Sequence, residues 1–164
     1  MKRSTLSSIR QQSSGNGFLK LHRILVPLDF SGKARQALDF AIPLARQTNA
    51  KIFLLHVIQP VYPVAAFPAE MGMLPLNPPP VVRPSKMKLA ALGRKLVPPD
   101  LLGNTLVRTG RAHLEITRAA RELKADLIAL STRGHTGLKH ALLGSTAEQV
   151  IRHANCPVLT VRRH

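Results

Sequence analysis

The pattern that most restricts this chain is a repeated alternation. Short unbroken apolar runs are each followed by a longer segment whose apolar residues recur at helical spacing. The first run is Ile24, Leu25 and Val26 within "HRILVPLD", which reads as a strand buried on both faces and ended by Pro27. The segment "FSGKARQALDFAIPLARQTNA" follows, with Ala34, Ala37, Leu38, Ala41, Leu44 and Ala45 on one helical stripe. Ser31 is its expected N-cap, and Pro43 is expected to kink it. "KIFLLHVI" (Lys51 to Ile58) is a second strand, "SKMKLAALGRKLV" a helix with Gly93 as a weak point, and "NTLVRTG" a third strand. "RAHLEITRAARELKA" is an amphipathic helix with Leu114, Ile116, Ala119, Ala120 and Leu123 on or near one face. "DLIALST" is a fourth strand, "STAEQVIRHA" a helix whose Ser145 and Glu148 fit a capping box, and "CPVLTVRR" the last strand. Strands joined by helical crossovers imply an α/β fold, an open five-stranded parallel sheet with helices on both faces. Ligands of such sheets bind beyond the carboxyl ends of the strands, near the switch in strand order.

Two segments stand outside this rhythm. Residues 1–20 are rich in Ser, Gln, Gly and Asn, and read as a disordered basic tail preceding a single domain over 21–164. Residues 60–84 hold eight prolines, including "NPPP", and read as an extended, irregular loop. Lys and Arg number 24 against 8 Asp and Glu, a formal net charge of +16, so the chain's field attracts polyanions without choosing among them. The block holding Arg83, Lys86, Lys88, Arg94 and Lys95 contains no acid. Aromatic interleaving for base stacking is lacking, so any nucleic-acid association is expected to be nonspecific and salt-dependent. The chain has no apolar run of membrane-spanning length and no signal-peptide pattern at its start. Its one cysteine, Cys156, excludes an internal disulfide. A reducing cytoplasm is the compartment this cysteine usage suits and the one expected, with Cys156 as a small hydrophobe near a strand start.

The stretch "STRGHTGLKHALLGST", Ser131 to Thr146, leaves the fourth strand and enters the next helix. Its glycines permit close backbone approach to a ligand. Amides at the helix start favour an anion, and the Ser145 and Thr146 hydroxyls can donate to phosphate oxygens. The competing reading is an ordinary strand-to-helix loop in which Ser145 only caps its own helix. The Walker pattern is absent, because no lysine follows Gly144, and the first strand is followed by "PLDFSG" rather than a dinucleotide fingerprint. Arg133, His135, Lys139 and His140 add basic character. His56 reads as a hydrogen-bonded structural residue. His153 and Cys156 lack the further ligands that a metal site needs.

These residues carry a resemblance. "ILVPLDFS", "LLHVI" and "ADLIALSTRGHTGLKHALLGSTAEQVIRHANCPVL" are similar to the universal stress protein family, over about Arg23 to Arg162. The resemblance implies a Rossmann-like, adenine nucleotide alpha hydrolase-like fold. In its ATP-binding members it also implies a motif G-x2-G-x9-G-S/T. Here Gly134, Gly144 and Ser145 match that motif, and Ser131 replaces its first glycine.

Carried over by position, the resemblance puts Pro27 and Asp29 at the adenine edge, with Val57 against the base. Leu130 and Ser131 would run beside the ribose, and Gly134, Gly144, Ser145 and Thr146 would hold the phosphates. Asp29 could equally be a helix-capping or loop carboxylate, and Val57 an ordinary core residue. The expected function is adenine-nucleotide binding, with ATP and accompanying Mg²⁺, in a stress or signalling protein that acts through nucleotide-dependent shape or partner choice. No nucleophile–base pair is evident, so no enzyme is expected, and slow ATP hydrolysis would require Mg²⁺ on the phosphates. The alternative is an interaction module that binds no nucleotide. The resemblance also implies a homodimer through the last strand, whose edge would offer unpaired backbone groups.

Overall fold

The computed structural model describes residues 20–32, 35–59, 82–131 and 144–161. Among these residues five strands and four helices alternate: β1 (Arg23–Pro27), α1 (Gln36–Thr48), β2 (Lys51–Ile58), α2 (Val82–Leu96), β3 (Leu102–Thr109), α3 (Ala112–Leu123), β4 (Leu127–Ser131), α4 (Ser145–His153) and β5 (Val158–Val161). The sheet has the order β3-β2-β1-β4-β5, and every pairing is parallel. β1 is therefore central, and strand order reverses direction between β1 and β4. The expected α/β architecture is the one observed.

Alternation along the strands distributes side chains to two cores. Ile24, Val26, Ile52, Leu54 and Ala129 face α1 and α2, together with Ala37, Leu38, Ala41 and Leu89. Leu25, Leu55, Ile128 and Leu130 face α3 and α4, with Ile116, Ala119, Ala120, Ala147 and Val150. Each fully buried Leu, Ile or Val contributes about 1.5–3 kcal/mol relative to exposure. With aromatics at 4% of the chain, these aliphatic layers carry the fold. α1 meets the sheet through alanines at 37, 41 and 45, whose small side chains let the helix lie close.

Several local expectations are corrected. α1 starts at Gln36 with Arg35 at its cap and no side-chain cap hydrogen bond, so Ser31 is not the N-cap. The chain is delayed by a tight turn in which the Ser31 amide donates to Asp29 Oδ1 at 2.9 Å, while Phe30 takes a left-handed φ of 63°. Leu114 is 49% exposed. It lies two residues, about 200° of helix, from Ile116 and so off the buried stripe. Val82, Arg83 and Pro84 open α2, trimming the irregular segment expected to extend to residue 84. Pro is tolerated there because first-turn amides lack intrahelical acceptors.

Gly93 is where α2 touches the sheet. A Cβ there would stand 3.1 Å from Leu54 Cδ1 and 3.4 Å from Leu102 Cδ1, so the missing side chain sets the helix-to-sheet distance. β3 also begins earlier than expected and bulges. Ile52 pairs with Leu102 but Leu54 with Thr105, which puts Gly103 and Asn104 opposite Phe53 alone. A Cβ on Gly103 would meet Phe53 Cε1 at 3.0 Å and the Ile52 carbonyl oxygen at 3.1 Å.

Candidate functional site

Register brings the sequence-predicted residues to one rim. Pro27 is opposite Leu55, and Leu25 opposite Ile128. Counting forward, Asp29 follows β1 at the level of Val57, and Ser131 closes β4 one level below. Pro27, Asp29, Val57, Leu130 and Ser131 thus gather at the carboxyl ends of β1, β2 and β4, where the strand order switches. Val57 and Leu130 point to the α3–α4 side, and alternation along β1 sends Pro27 to the same side.

α4 begins on that side. Its N-cap is Gly144, in extended conformation (φ −68°, ψ 144°), with no side-chain cap hydrogen bond. Ser145 is therefore the first helical residue, not the capping residue that the S-x-x-E pattern implied. Glu148 turns outward to Arg152 at 3.3 Å rather than back onto the helix start. Helix geometry leaves the amides of Ser145, Thr146 and Ala147 without intrahelical acceptors, at the positive end of the dipole. Ala147 is buried in the same apolar cluster as Leu130, so the helix start is anchored beside the rim. Gly134, Arg133, His135, Lys139 and His140 lie outside the described residues.

Asp29 is half-buried, and its Oδ1 holds the Ser31 amide. The loop-carboxylate role is thus real for that oxygen. Oδ2 has no hydrogen bond among the described residues and stays available to an exocyclic amine or a ribose hydroxyl. His56 makes the structural hydrogen bond expected of it, Nδ1 to the Leu28 carbonyl at 2.8 Å.

It also takes part in a feature that the sequence did not announce. The rings of Phe30 and His56 have centroids 4.0 Å apart, and Lys88 Nζ stands 4.5 Å from the Phe30 centroid. This stack occupies the α1–α2 side of the rim. Its one sequence signal is period-two alternation along β2, which puts Ile52, Leu54 and His56 on one face.

Titration is perturbed away from the rim. Burial, with the Asp126 charge second, pushes the Cys156 thiol up. The hydrogen bond from Arg108 holds the Glu122 carboxyl below its ordinary value, and the charges of Arg108 and Arg118 reinforce it. Cys156 packs against the α3–α4 core as expected. His153 bonds to the Gln149 carbonyl and stands 6.2 Å, ring to ring, from His113. No cluster of three or more His, Cys, Asp or Glu that could hold a metal occurs among the described residues. No helix among them is long and apolar enough to cross a membrane.

Fold and rim define a class: an open, parallel α/β protein whose strand order switches between β1 and β4. The comparisons narrow it. Residues 20–162 match the sequence profile of the universal stress protein family, and the chain belongs to that family. A universal stress protein of Methanocaldococcus jannaschii, MJ0531, is 33% identical over 148 residues, spanning 90% of this chain and 86% of the relative. The solved structure of MJ0577, from the same organism, superposes with a TM-score of 0.67 at 26% identity, covering 88% of this chain and 98% of that one. A universal stress protein of Archaeoglobus fulgidus, solved in complex with dAMP, shares the fold with a TM-score of 0.59 at 22% identity, over 87% and 99% of the two chains.

Proposed function

We propose that this chain binds an adenine nucleotide, ATP in particular, at the β1–β4 rim, and that it works through nucleotide-dependent shape or partner choice rather than as an enzyme. The observation that carries this reading is the start of α4. With Gly144 at the cap and Ser145 already helical, no cap side chain occupies the amide end of the helix, and the simplest competing role for Ser145 is removed. A phosphate chain would accept from those amides and from the Ser145 and Thr146 hydroxyls, with Gly134 lending room for close approach. The Mg²⁺ that accompanies ATP would ride mainly on phosphate oxygens. Pro27 and Val57 would give the base an apolar wall, Asp29 Oδ2 an acceptor, and Leu130 with Ser131 would flank the ribose. The dAMP carried by the Archaeoglobus protein on this fold supports adenylates as the ligand class. In the same reading, β5, which ends the sheet, pairs two copies into a homodimer.

Isothermal titration calorimetry with ATP, with and without Mg²⁺, tests the proposal. Saturable heat is expected, and Gly144→Val should abolish it by filling the approach to the amides. Ser131 in place of the motif's first glycine favours the other reading, a module that binds no nucleotide. Absence of heat at millimolar ATP and AMP, from protein whose melting is cooperative, would establish that reading instead. Steady release of ADP would overturn the non-enzymatic part.

A further inference from the structure

On the opposite side of the rim, the turn after β1 and helix α2 enclose a groove of about 290 Å³ lined by Phe30, Arg35, Lys88, Ala91, Leu92 and Lys95. Lys88, Ala91, Leu92 and Lys95 recur at spacings of three, four and seven, which makes one helical stripe. Arg35, Lys88 and Lys95 are exposed, and no carboxylate lines the groove among the described residues. Ion pairs among the described residues engage Arg108, Arg118 and Arg152, so none of the groove's three cations has an acidic partner there. The wall is preformed. Phe30, fixed by its left-handed backbone and by His56 behind it, carries the Lys88 ammonium on its ring.

We propose that this groove binds the sugar–phosphate backbone of nucleic acid, with Arg35, Lys88 and Lys95 as its phosphate contacts. Lys88 and Lys95 stand two helical turns apart on the same side of the 15-residue α2, which contains no acid. Seven residues of helix span about 10.5 Å, more than a single phosphate group covers. A duplex presents one charge per roughly 1.7 Å of axis and can face both cations together with Arg35. The net charge of +16 favours the same partner at long range. An anionic membrane fits less well, because an interfacial helix needs a free apolar face. The apolar face of α2 is spent on the sheet, with Leu89 fully buried and Gly93 in contact with Leu54. Phe30 is engaged by His56 and Lys88 and the other lining side chains are aliphatic or cationic, so binding should track phosphates and ignore sequence.

The test is fluorescence anisotropy of the full chain with a labelled random-sequence duplex across a range of salt, without nucleotide. This site shares no residue with the proposed ATP site, so the two proposals fail separately. Replacing Arg35→Gln, Lys88→Gln and Lys95→Gln together should weaken binding about tenfold or more and shallow the log–log salt slope by about 2 to 3. An equal removal of charge elsewhere (Arg46→Gln, Arg121→Gln and Lys124→Asn) should do clearly less. Lys88→Arg with Lys95→Arg should keep the affinity. Equal losses from the two triple variants would overturn the assignment, since affinity would then reside in overall charge. So would a duplex that fails to bind, or binding to phosphatidylserine vesicles that the duplex does not compete away.

Discussion

The two ends of the sheet are built on different principles. At the amino end, side chains tie down backbone. Asp126 Oδ2 accepts from the His22 amide at 2.7 Å and the Arg23 amide at 2.8 Å, and the Arg23 guanidinium donates to the Leu123 carbonyl at 3.0 Å. Lys51 reaches the Asp100 carbonyl. One carboxylate thus joins the entry of β1 to the entry of β4 across 103 residues of sequence. At the carboxyl end the same two strands lead to a left-handed Phe30 and, beyond β4, to the glycine-capped α4. Side-chain ties to backbone are concentrated at one end, and the proposed nucleotide contacts at the other.

That contrast can be broken by experiment. Asp126→Ala should lower unfolding stability by about 2–3 kcal/mol, because it removes a charged acceptor shared by two amides. ATP affinity should stay within about twofold. Denaturant melts and calorimetry on the same variant check both halves. Asp29→Ala should do the reverse. It should weaken adenylate binding about tenfold, worth about 1.4 kcal/mol, while stability falls by less than that. If Asp126→Ala abolishes binding, or Asp29→Ala unfolds the chain, the division of labour between the ends is wrong.

Cys156 tests the closed end from within. With its thiol pushed up by burial and by the Asp126 charge, alkylation at mildly alkaline pH should be slower than for a cysteine in an unstructured peptide. Asp126→Ala should speed it. The smallest effect belongs to Glu122. Its folded-state value is depressed, so the stability it lends is present above its ordinary value of 4.5 and is lost as pH falls through the folded value. Because Glu122 is exposed, Glu122→Gln should flatten the acid limb of the stability curve only slightly, by urea melts at a series of pH values.

The strands and helices were legible because their signals are long and periodic. Continuous aliphatic runs mark two-sided burial, and the alanine stripe at 37, 41 and 45 marks a helix face. Ends were harder to read. Ser31 and Ser145 both have N-cap chemistry, yet α1 starts only at Gln36, past the Asx-type turn at Asp29, and an extended Gly144 shifts the second into the helix. Gly93 looked like a flaw within α2 because sequence carries no record of what lies opposite. Leu54 and Leu102 do, and they make the glycine a packing requirement. Of the candidate site, Pro27, Asp29, Val57, Leu130 and Ser131 were readable through motif and strand position, and parallel pairing brings them to one rim. The Phe30–His56–Lys88 stack was not readable. It joins three elements through a residue with positive φ, and nothing local in "DFSGK" declares it.

The bulge at Gly103 has a consequence for how copies of this chain can meet. It leaves the sheet with one ragged margin, along β3, and one straight margin, along β5. If two molecules join along the straight margins, each uses up the regular edge of its described sheet, and the kinked β3 strands left facing outward make poor templates for a third. Association built this way terminates at a pair instead of growing into a fibre.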